Sequence, residues 1–217
     1  MSKKSFLKPF ALAAVCVASP LSMTAAAESG VSANLGISNI YLWRGQDVSN
    51  GGAVVHGGLE YGHSSGFYTG IWGSSESGQS EYDLYIGYGT EFGGLSVDLS
   101  YWTYIYPNAD DDSSDPNGLA EVALGLGFAG FGLGAYFGVG DENEDDHYFT
   151  LSYDYGSFGI LVGTWAFDGD DMDYTHVDLS YSYNDNLSFG VSKVVADDDD
   201  AGVDTHPLFF VSYDFTF

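Results

Sequence analysis

The chain has 217 residues, with 31 Asp and Glu against 5 Lys and Arg, and a formal net charge of −26. A chain so poor in cations repels phosphate, which excludes a nucleic-acid binder. An aromatic content of 17% excludes an acidic disordered tail, and thirty Gly with so few basic residues leave too few good helix formers for a helical protein.

The first 27 residues read as an address. Lys3, Lys4 and Lys8 form a positive start, Phe10 to Ala18 an apolar core, and Ala25-Ala26-Ala27 the small residues of a cleavage site before Glu28. The apolar core is too short for a permanent membrane helix. A lipoprotein signal at Cys16 is the weaker alternative, because Val15 stands where a small residue is wanted. We therefore expect a signal peptide over 1–27 and a single domain over 28–217. Cleavage removes three of the basic residues and the only Cys. It leaves Arg44 and Lys193 against all 31 acids, a net of −29 and no disulfide framework.

From residue 33 onward one rhythm repeats: runs of about ten residues alternate apolar and polar with period 2, as strands do. The run 33–44 sets Leu35, Ile37, Tyr41 and Trp43 against Asn34, Ser38 and Arg44. In 53–62, Val55, Leu59 and Tyr61 oppose His56 and Glu60, and 67–74 is nearly two-sided, with Tyr68 and Trp72 opposite Phe67 and Ile71. Tyr82, Leu84, Ile86 and Tyr88 oppose Glu81, Asp83 and Tyr85 in 81–89. Leu95, Val97, Leu99, Tyr101 and Ile105 oppose Asp98, Ser100, Trp102 and Tyr104 in 95–106. Runs 119–128 and 131–139 carry Glu121, Tyr136 and glycines on their polar faces, and 147–155 carries Thr150, Ser152 and Asp154. In 158–167 Trp165 lies opposite Phe158, Ile160 and Val162. His176, Asp178 and Ser180 oppose Val177, Leu179, Tyr181 and Tyr183 in 174–183. The last runs, 187–195 and 207–217, end in Val195 and Phe217.

These twelve segments are joined alternately by tight turns, such as Ala129-Gly130 and Gly156-Ser157, and by longer, mostly acidic stretches at 45–52, 75–80, 107–118, 140–146, 168–173 and 196–206. Short turns at one end and long loops at the other describe an all-β, antiparallel, up-and-down transmembrane barrel of twelve strands in the bacterial outer membrane. Closure pairs every backbone group where lipid offers no partner. A soluble β-sandwich also alternates, but its surface face would carry many charged side chains; here the polar faces are mostly Gly, Ser and single acids. Aromatics flank both ends. Tyr61, Phe67, Tyr88, Tyr101, Tyr155, Phe158, Tyr183 and Phe215 sit by the short turns, and Tyr41, Trp43, Tyr82, Tyr174, Ile105 and Tyr106 by the long loops, as two interfacial rings require. Phe217 resembles the closing aromatic of outer-membrane barrels and implies recognition by the barrel assembly machinery.

The segments Tyr41-Leu42-Trp43-Arg44-Gly45, Gly57-Gly58-Leu59-Glu60-Tyr61, Ser65 to Ser74, Glu81 to Tyr88 and Tyr104-Ile105-Tyr106-Pro107 resemble the proteobacterial family of TorF-type porins, Gcw_chp. That resemblance implies an outer-membrane, porin-like protein with no established catalytic residues. Its specific motifs lie in the first half of the chain.

The polar faces supply the candidate site. Parity places Arg44, Glu60, Glu81, Asp83, Asp98, Glu121, Asp154, Asp178 and Asp214, with His56 and His176, in the lumen. One Arg cannot neutralise so many acids, so a cation- or zwitterion-preferring channel for small solutes is expected. Tyr68, Trp72, Trp102, Tyr104 and Trp165 share that face and could form an aromatic track, or could pack as a plug. The alternative function is a non-conducting barrel that binds or builds at the cell surface. The Asp clusters, among them Asp110, Asp111, Asp112, Asp170, Asp171, Asp198 and Asp199, lack an EF-hand pattern. They suit weak divalent bridging to lipopolysaccharide rather than a dedicated metal site, and no cofactor is expected. Lys193 shares parity with lipid-facing Val191 and would reach toward lipopolysaccharide phosphate. His147 and His176 among Ser and Asp permit a catalytic triad to be drawn, but no G-x-S-x-G or H-E-x-x-H occurs, so no enzyme is expected.

Overall fold

The computed structural model describes residues 29–75, 80–109, 111–166, 173–198 and 201–217. The expected signal peptide lies outside these residues. Twelve long strands close into one antiparallel barrel. In chain order the strands are β1 (Gly30–Ser38), β2 (Leu42–Trp43), β3 (Gln46–Asp47), β4 (Val54–Gly62), β5 (Phe67–Ser75), β6 (Ser80–Phe92) and β7 (Leu95–Ile105). They continue with β8 (Leu119–Phe128), β9 (Phe131–Gly138), β10 (His147–Tyr155), β11 (Phe158–Ala166), β12 (Tyr174–Ser182), β13 (Leu187–Asp197) and β14 (Leu208–Thr216). β2 and β3 pair only with each other; the other twelve form the wall.

Each wall strand pairs with its sequence neighbour, and β1 closes the cylinder against β14 from Asn34↔Thr216 to Ser38↔Ser212. Backbone bonds between Ala33 and Phe217 run both ways at 3.2 and 2.8 Å. At the other end of this seam the Asn39 side chain continues the pairing after β1 has left the wall. Its amide donates to the Phe209 carbonyl at 2.9 Å and its oxygen accepts from the Val211 amide at 2.6 Å.

The alternation decides the faces. Leu35, Leu59, Ile71, Leu84, Ile86, Leu99, Leu133, Leu151, Leu179 and Val211 are all exposed on the outside. So wide an apolar belt is untenable in water and suits a hydrocarbon surround. No helix among the described residues is long and apolar enough to cross a membrane; the crossing is made by strands. Tyr61, Phe67, Tyr88, Tyr155, Phe158, Tyr183 and Phe215 ring the short-turn end and are exposed. Neighbours in this ring meet edge-on or tilted, as Phe67 with Tyr88 at 5.0 Å and Phe158 with Tyr181 at 5.0 Å.

Three stretches depart from the expected pattern. The run 33–44 is not one strand: β1 ends at Ser38 and the chain then turns into the barrel. Tyr41, Trp43 and Tyr174, expected in the outer aromatic ring, point into the lumen instead, and Tyr41 and Tyr174 are buried there. Ile105 does have outward parity, yet it is 1% exposed. The 107–118 loop folds back against β7, with the Thr103 hydroxyl donating to the Pro116 carbonyl at 2.5 Å and the Tyr106 amide to the Ser113 carbonyl at 3.0 Å. Tyr106 itself points inward. In β12–β13 the register slips between Thr175 and His176: Thr175 pairs with Ala196 and His176 with Val194, so Val195 is the extra residue of a bulge.

Candidate functional site: an arginine held in an acidic, aromatic lumen

The lumen is organised around an inward hairpin. Beyond Asn39, the Val48 amide donates to the Tyr41 carbonyl, and β2 pairs with β3 as Leu42↔Asp47 and Trp43↔Gln46. The two residues at its tip, Arg44 and Gly45, both have positive φ, 47° and 86°. A two-residue loop of this kind matches the twist of a hairpin, and it presents the Arg44 side chain at the apex. The base is fixed by Asp47, which accepts from the Ser49 amide and hydroxyl and from the Gly51 amide at 2.9, 2.6 and 2.6 Å. The Ser49 hydroxyl oxygen in turn accepts from the Tyr41 amide at 2.9 Å.

Arg44 is 2% exposed. A guanidinium taken so far from water needs a paired counter-charge. It donates both terminal nitrogens to the Glu121 carboxylate of β8, at 2.8 and 2.5 Å, in the two-pronged geometry that suits Arg and carboxylate. The Tyr104 hydroxyl of β7 adds a third bond to Glu121 at 2.8 Å. Four aromatic rings enclose the guanidinium carbon: Trp165 at 4.2 Å, Tyr148 at 4.5 Å, Trp43 at 4.7 Å and Tyr136 at 4.9 Å. Each lies within the range where a ring face attracts a cation. The Tyr174 hydroxyl donates to the Arg44 carbonyl at 2.9 Å. Gly45 lies against the His176 ring so tightly that a Cβ there would fall 2.5 Å from Cγ. His176, which is fully buried, bonds Tyr148 through Nε2 at 2.8 Å and Asp178 through Nδ1 at 2.9 Å.

Glu81, Asp98, Glu60 and Asp214 also have hydroxyl donors. Glu81 accepts from Tyr41 at 2.8 Å and Tyr106 at 2.7 Å, Asp98 from Tyr68 at 2.9 and 2.8 Å, and Glu60 from Tyr85 at 3.2 Å. Asp214 accepts from the Ser212 hydroxyl at 2.6 Å and lies 3.5 Å from His56. Asp83 is buried beside these, paired across the sheet with Trp72 and Tyr104. Asp154 has inward parity but lies exposed near the short-turn end, as befits a residue opposite Gly159. Thus Arg44, Glu60, Glu81, Asp83, Asp98, Glu121 and Asp178 project into the lumen, Asp154 shares their parity at the short-turn end, and among the described residues Glu121 takes the Arg44 charge.

The expected aromatic set, Tyr68, Trp72, Trp102, Tyr104 and Trp165, does face inward, and other rings stand between its members: Tyr68 meets Tyr85 at 6.2 Å, and Trp102 packs against the cluster that holds Tyr136, Tyr148 and Trp165. Trp72 lies near Tyr41 and His56, Trp102 stacks on Tyr85 at 4.2 Å, and Trp165 joins the Arg44 cage. Tyr85 and Tyr136 already shared the polar faces in the sequence. Tyr148 and Tyr174 also have lumen parity with Thr150 and His176. Their position at strand starts, where interfacial tyrosines are common, disguised it. His147 faces outward, 5.3 Å from Phe137, on the opposite side of the wall from His176, so the two belong to no common triad.

In the long loops, Asp111 caps a 3-10 turn at Asp112–Ser114; the Ser113 hydroxyl and amide bond it and hold it below the usual carboxylate range. Asp198 accepts from the Asp173 amide at 3.2 Å. Asp110, Asp170, Asp171 and Asp199 lie outside the described residues. Among the described residues no group of three or more His, Cys, Asp or Glu is arranged to hold a metal ion. The stretch after β13 also reaches the hairpin. The Gln46 side chain donates to the Asp204 carbonyl at 3.3 Å and accepts from the Asp204 amide at 2.8 Å.

A closed twelve-stranded barrel with an apolar belt outside and a charged lumen inside is an outer-membrane β-barrel of bacteria. The family described as bacterial protein of unknown function (Gcw_chp) matches residues 22–204, and the chain belongs to it. No curated protein matches it in sequence. Among solved structures it is similar to the KdgM porin, with 12% identity, 86% of this chain and 98% of that chain covered, and a TM-score of 0.50. It is also similar to outer membrane phospholipase A from Escherichia coli, with 11% identity, 85% and 91% covered and a TM-score of 0.45. A mutant porin of Rh. blastica has 15% identity, with 75% and 55% covered and a TM-score of 0.46. At these identities the likeness is one of fold alone.

Proposed function

We propose that the chain is an outer-membrane channel for small solutes that favours cations or zwitterions. One observation carries this reading: the only guanidinium in the lumen is neutralised by Glu121, so Glu60, Glu81, Asp83, Asp98, Asp154, Asp178 and Asp214 set the sign of the interior. Carboxylates in a low-dielectric wall concentrate cations and repel anions. The hairpin 39–53 would act as the constriction, because it stands inside the wall and carries Arg44 into a cage of four rings. The resemblance of the chain to TorF-type porins, whose specific motifs lie in its first half, supports the channel part of this reading.

A second reading has its own support. Arg44, Tyr148 and His176 are almost fully shielded from solvent, as they would be in a non-conducting barrel whose lumen is packed shut. Purified protein in a planar bilayer separates the two. The channel reading expects a measurable conductance whose reversal potential in a salt gradient indicates cation preference and moves toward neutrality in Asp83→Asn. Silence from protein that shows the heat-modifiable gel mobility of a folded barrel would establish the second reading instead.

A further inference from the structure

With Arg44 set aside, what remains on the wall has the chemistry of a receptor for a planar cation. Glu121 presents both carboxylate oxygens in one plane, Tyr104 steadies one of them, and the faces of Tyr136, Tyr148 and Trp165 close around the space between. These five residues stand on β7, β8, β9, β10 and β11. The sheet therefore holds their geometry, and the hairpin does not. The occupant is tethered differently. Arg44 sits at the tip of a two-strand ribbon held to the rest of the barrel chiefly by side-chain bonds from Tyr174, Tyr41 and Gln46.

We propose that this cage is a binding site for small solutes bearing a guanidinium group, and that Arg44 is a built-in occupant which such a solute displaces. A guanidinium meets both requirements at once: two parallel N–H donors match the carboxylate while the flat cation lies against the ring faces. An alkali ion lacks the shape, and urea has the shape without the charge. The proposal rests on the channel reading only for the route by which the solute arrives; binding in the cage is separable from conduction. Because a tethered group competes at an effective concentration of roughly millimolar or more, a free guanidinium should bind the unaltered protein weakly and an emptied cage more tightly.

The experiment uses the full chain refolded in detergent, with gel mobility as the test of folding. Tryptophan fluorescence, to which Trp43 and Trp165 of the cage contribute together with Trp72 and Trp102, is followed while methylguanidinium, urea or potassium chloride is added. Arg44→Ala is expected to respond saturably to methylguanidinium and to neither control. The unaltered protein should need a concentration about tenfold higher or more, and so should Arg44→Ala/Glu121→Gln, which lacks the buried acceptor charge. No saturable response in folded Arg44→Ala, or an equal response to urea, overturns the proposal. If Arg44→Ala refolds only when methylguanidinium is present, the ligand is doing the work of the missing side chain and the proposal stands. If it refolds in neither condition while Arg44→Ala/Glu121→Gln does, the cage cannot accept a free guanidinium and the proposal falls. Conductance of the unaltered protein in potassium chloride judges the channel reading independently.

Discussion

Arg44 and Glu121 meet in the lumen through two hydrogen bonds, although 77 positions of chain separate them. The contact ties the inward hairpin to the far wall of the barrel. Removing one partner of a buried pair leaves the other charge uncompensated, at a cost of about 3–5 kcal/mol. Arg44 and Lys193 are also the only Lys or Arg among the described residues, and Lys193 lies within the paired strand β13. Trypsin therefore reads the position of the hairpin directly. The unaltered barrel should resist cleavage after Arg44, whereas Glu121→Gln, still heat-modifiable on a gel, should be cut there. Resistance equal to that of the unaltered protein would mean that the pair does not hold the hairpin.

Gly45 is constrained twice, by a φ of 86° and by the His176 ring that any Cβ would strike. Gly45→Ala should therefore unseat the hairpin tip while leaving the wall intact. The expected signs are a red-shifted tryptophan emission, as Trp43 and Trp165 gain water, and a larger single-channel conductance. Gly51→Ala makes a useful contrast: its φ is also positive, at 76°, but a Cβ there meets nothing within 4 Å. It should perturb the lumen far less.

Asn39 substitutes for strand pairing at the upper end of the β1–β14 seam. Asn39→Ala strips a donor from the Phe209 carbonyl and an acceptor from the Val211 amide, a loss of about 1 kcal/mol per bond. The temperature at which the folded band converts to the unfolded band should fall. An unchanged transition would show that the seam needs no such supplement.

The exposed Asp204 carboxylate accepts from the His206 amide and ring, both at 2.8 Å, which holds it below the ordinary carboxylate range. A depressed value stabilises the bonded form above the pKa of an unfolded Asp, about 3.9, and the contribution disappears as pH falls through the lower folded value. Slow exchange of the His206 amide should thus persist at pH 5 and be lost only below about pH 4. Loss already at pH 5 would overturn the assignment to the Asp204 carboxylate. Because Gln46 bonds to the Asp204 backbone, the same acid limb should loosen the hairpin's outer anchor.

The wall was legible because its physics is periodic. A residue facing lipid and one facing the lumen need opposite chemistry, so alternation alone places Glu81, Asp83, Asp98, Glu121 and Asp178 inside and Leu84, Ile86 and Leu99 outside. The hairpin was not legible by the same means. Tyr41-Leu42-Trp43-Arg44 alternates as a wall strand does, and a tyrosine or tryptophan near a strand end is as good an interfacial residue as a lumen residue. The distinguishing marks were local and non-periodic. Gly follows Arg at the tip, and Asp47 stands two residues before Ser49 where it can bond that amide. A nearly cation-free chain also carries one Arg that must find a carboxylate. Ile105 failed for a different reason: its face is as alternation dictates, but a loop covers it, and loop paths leave no period to read.

The seam between β1 and β14 has a consequence for the order of events in the life of the chain. β1 and β14, the first and last strands of the wall, are each other's partners, so during assembly β1 keeps one edge unpaired until β14 is in place, an edge that would readily pair with another copy. The hairpin inherits the same delay. A guanidinium is well hydrated in the unfolded chain and costly to bury unpaired, so Arg44 can leave water only when Glu121, Tyr136, Tyr148 and Trp165 stand ready to receive it. Seating Arg44 can therefore come only near the end of assembly, after β7 to β11 stand beside one another, and it would report that a barrel is complete rather than help to begin one.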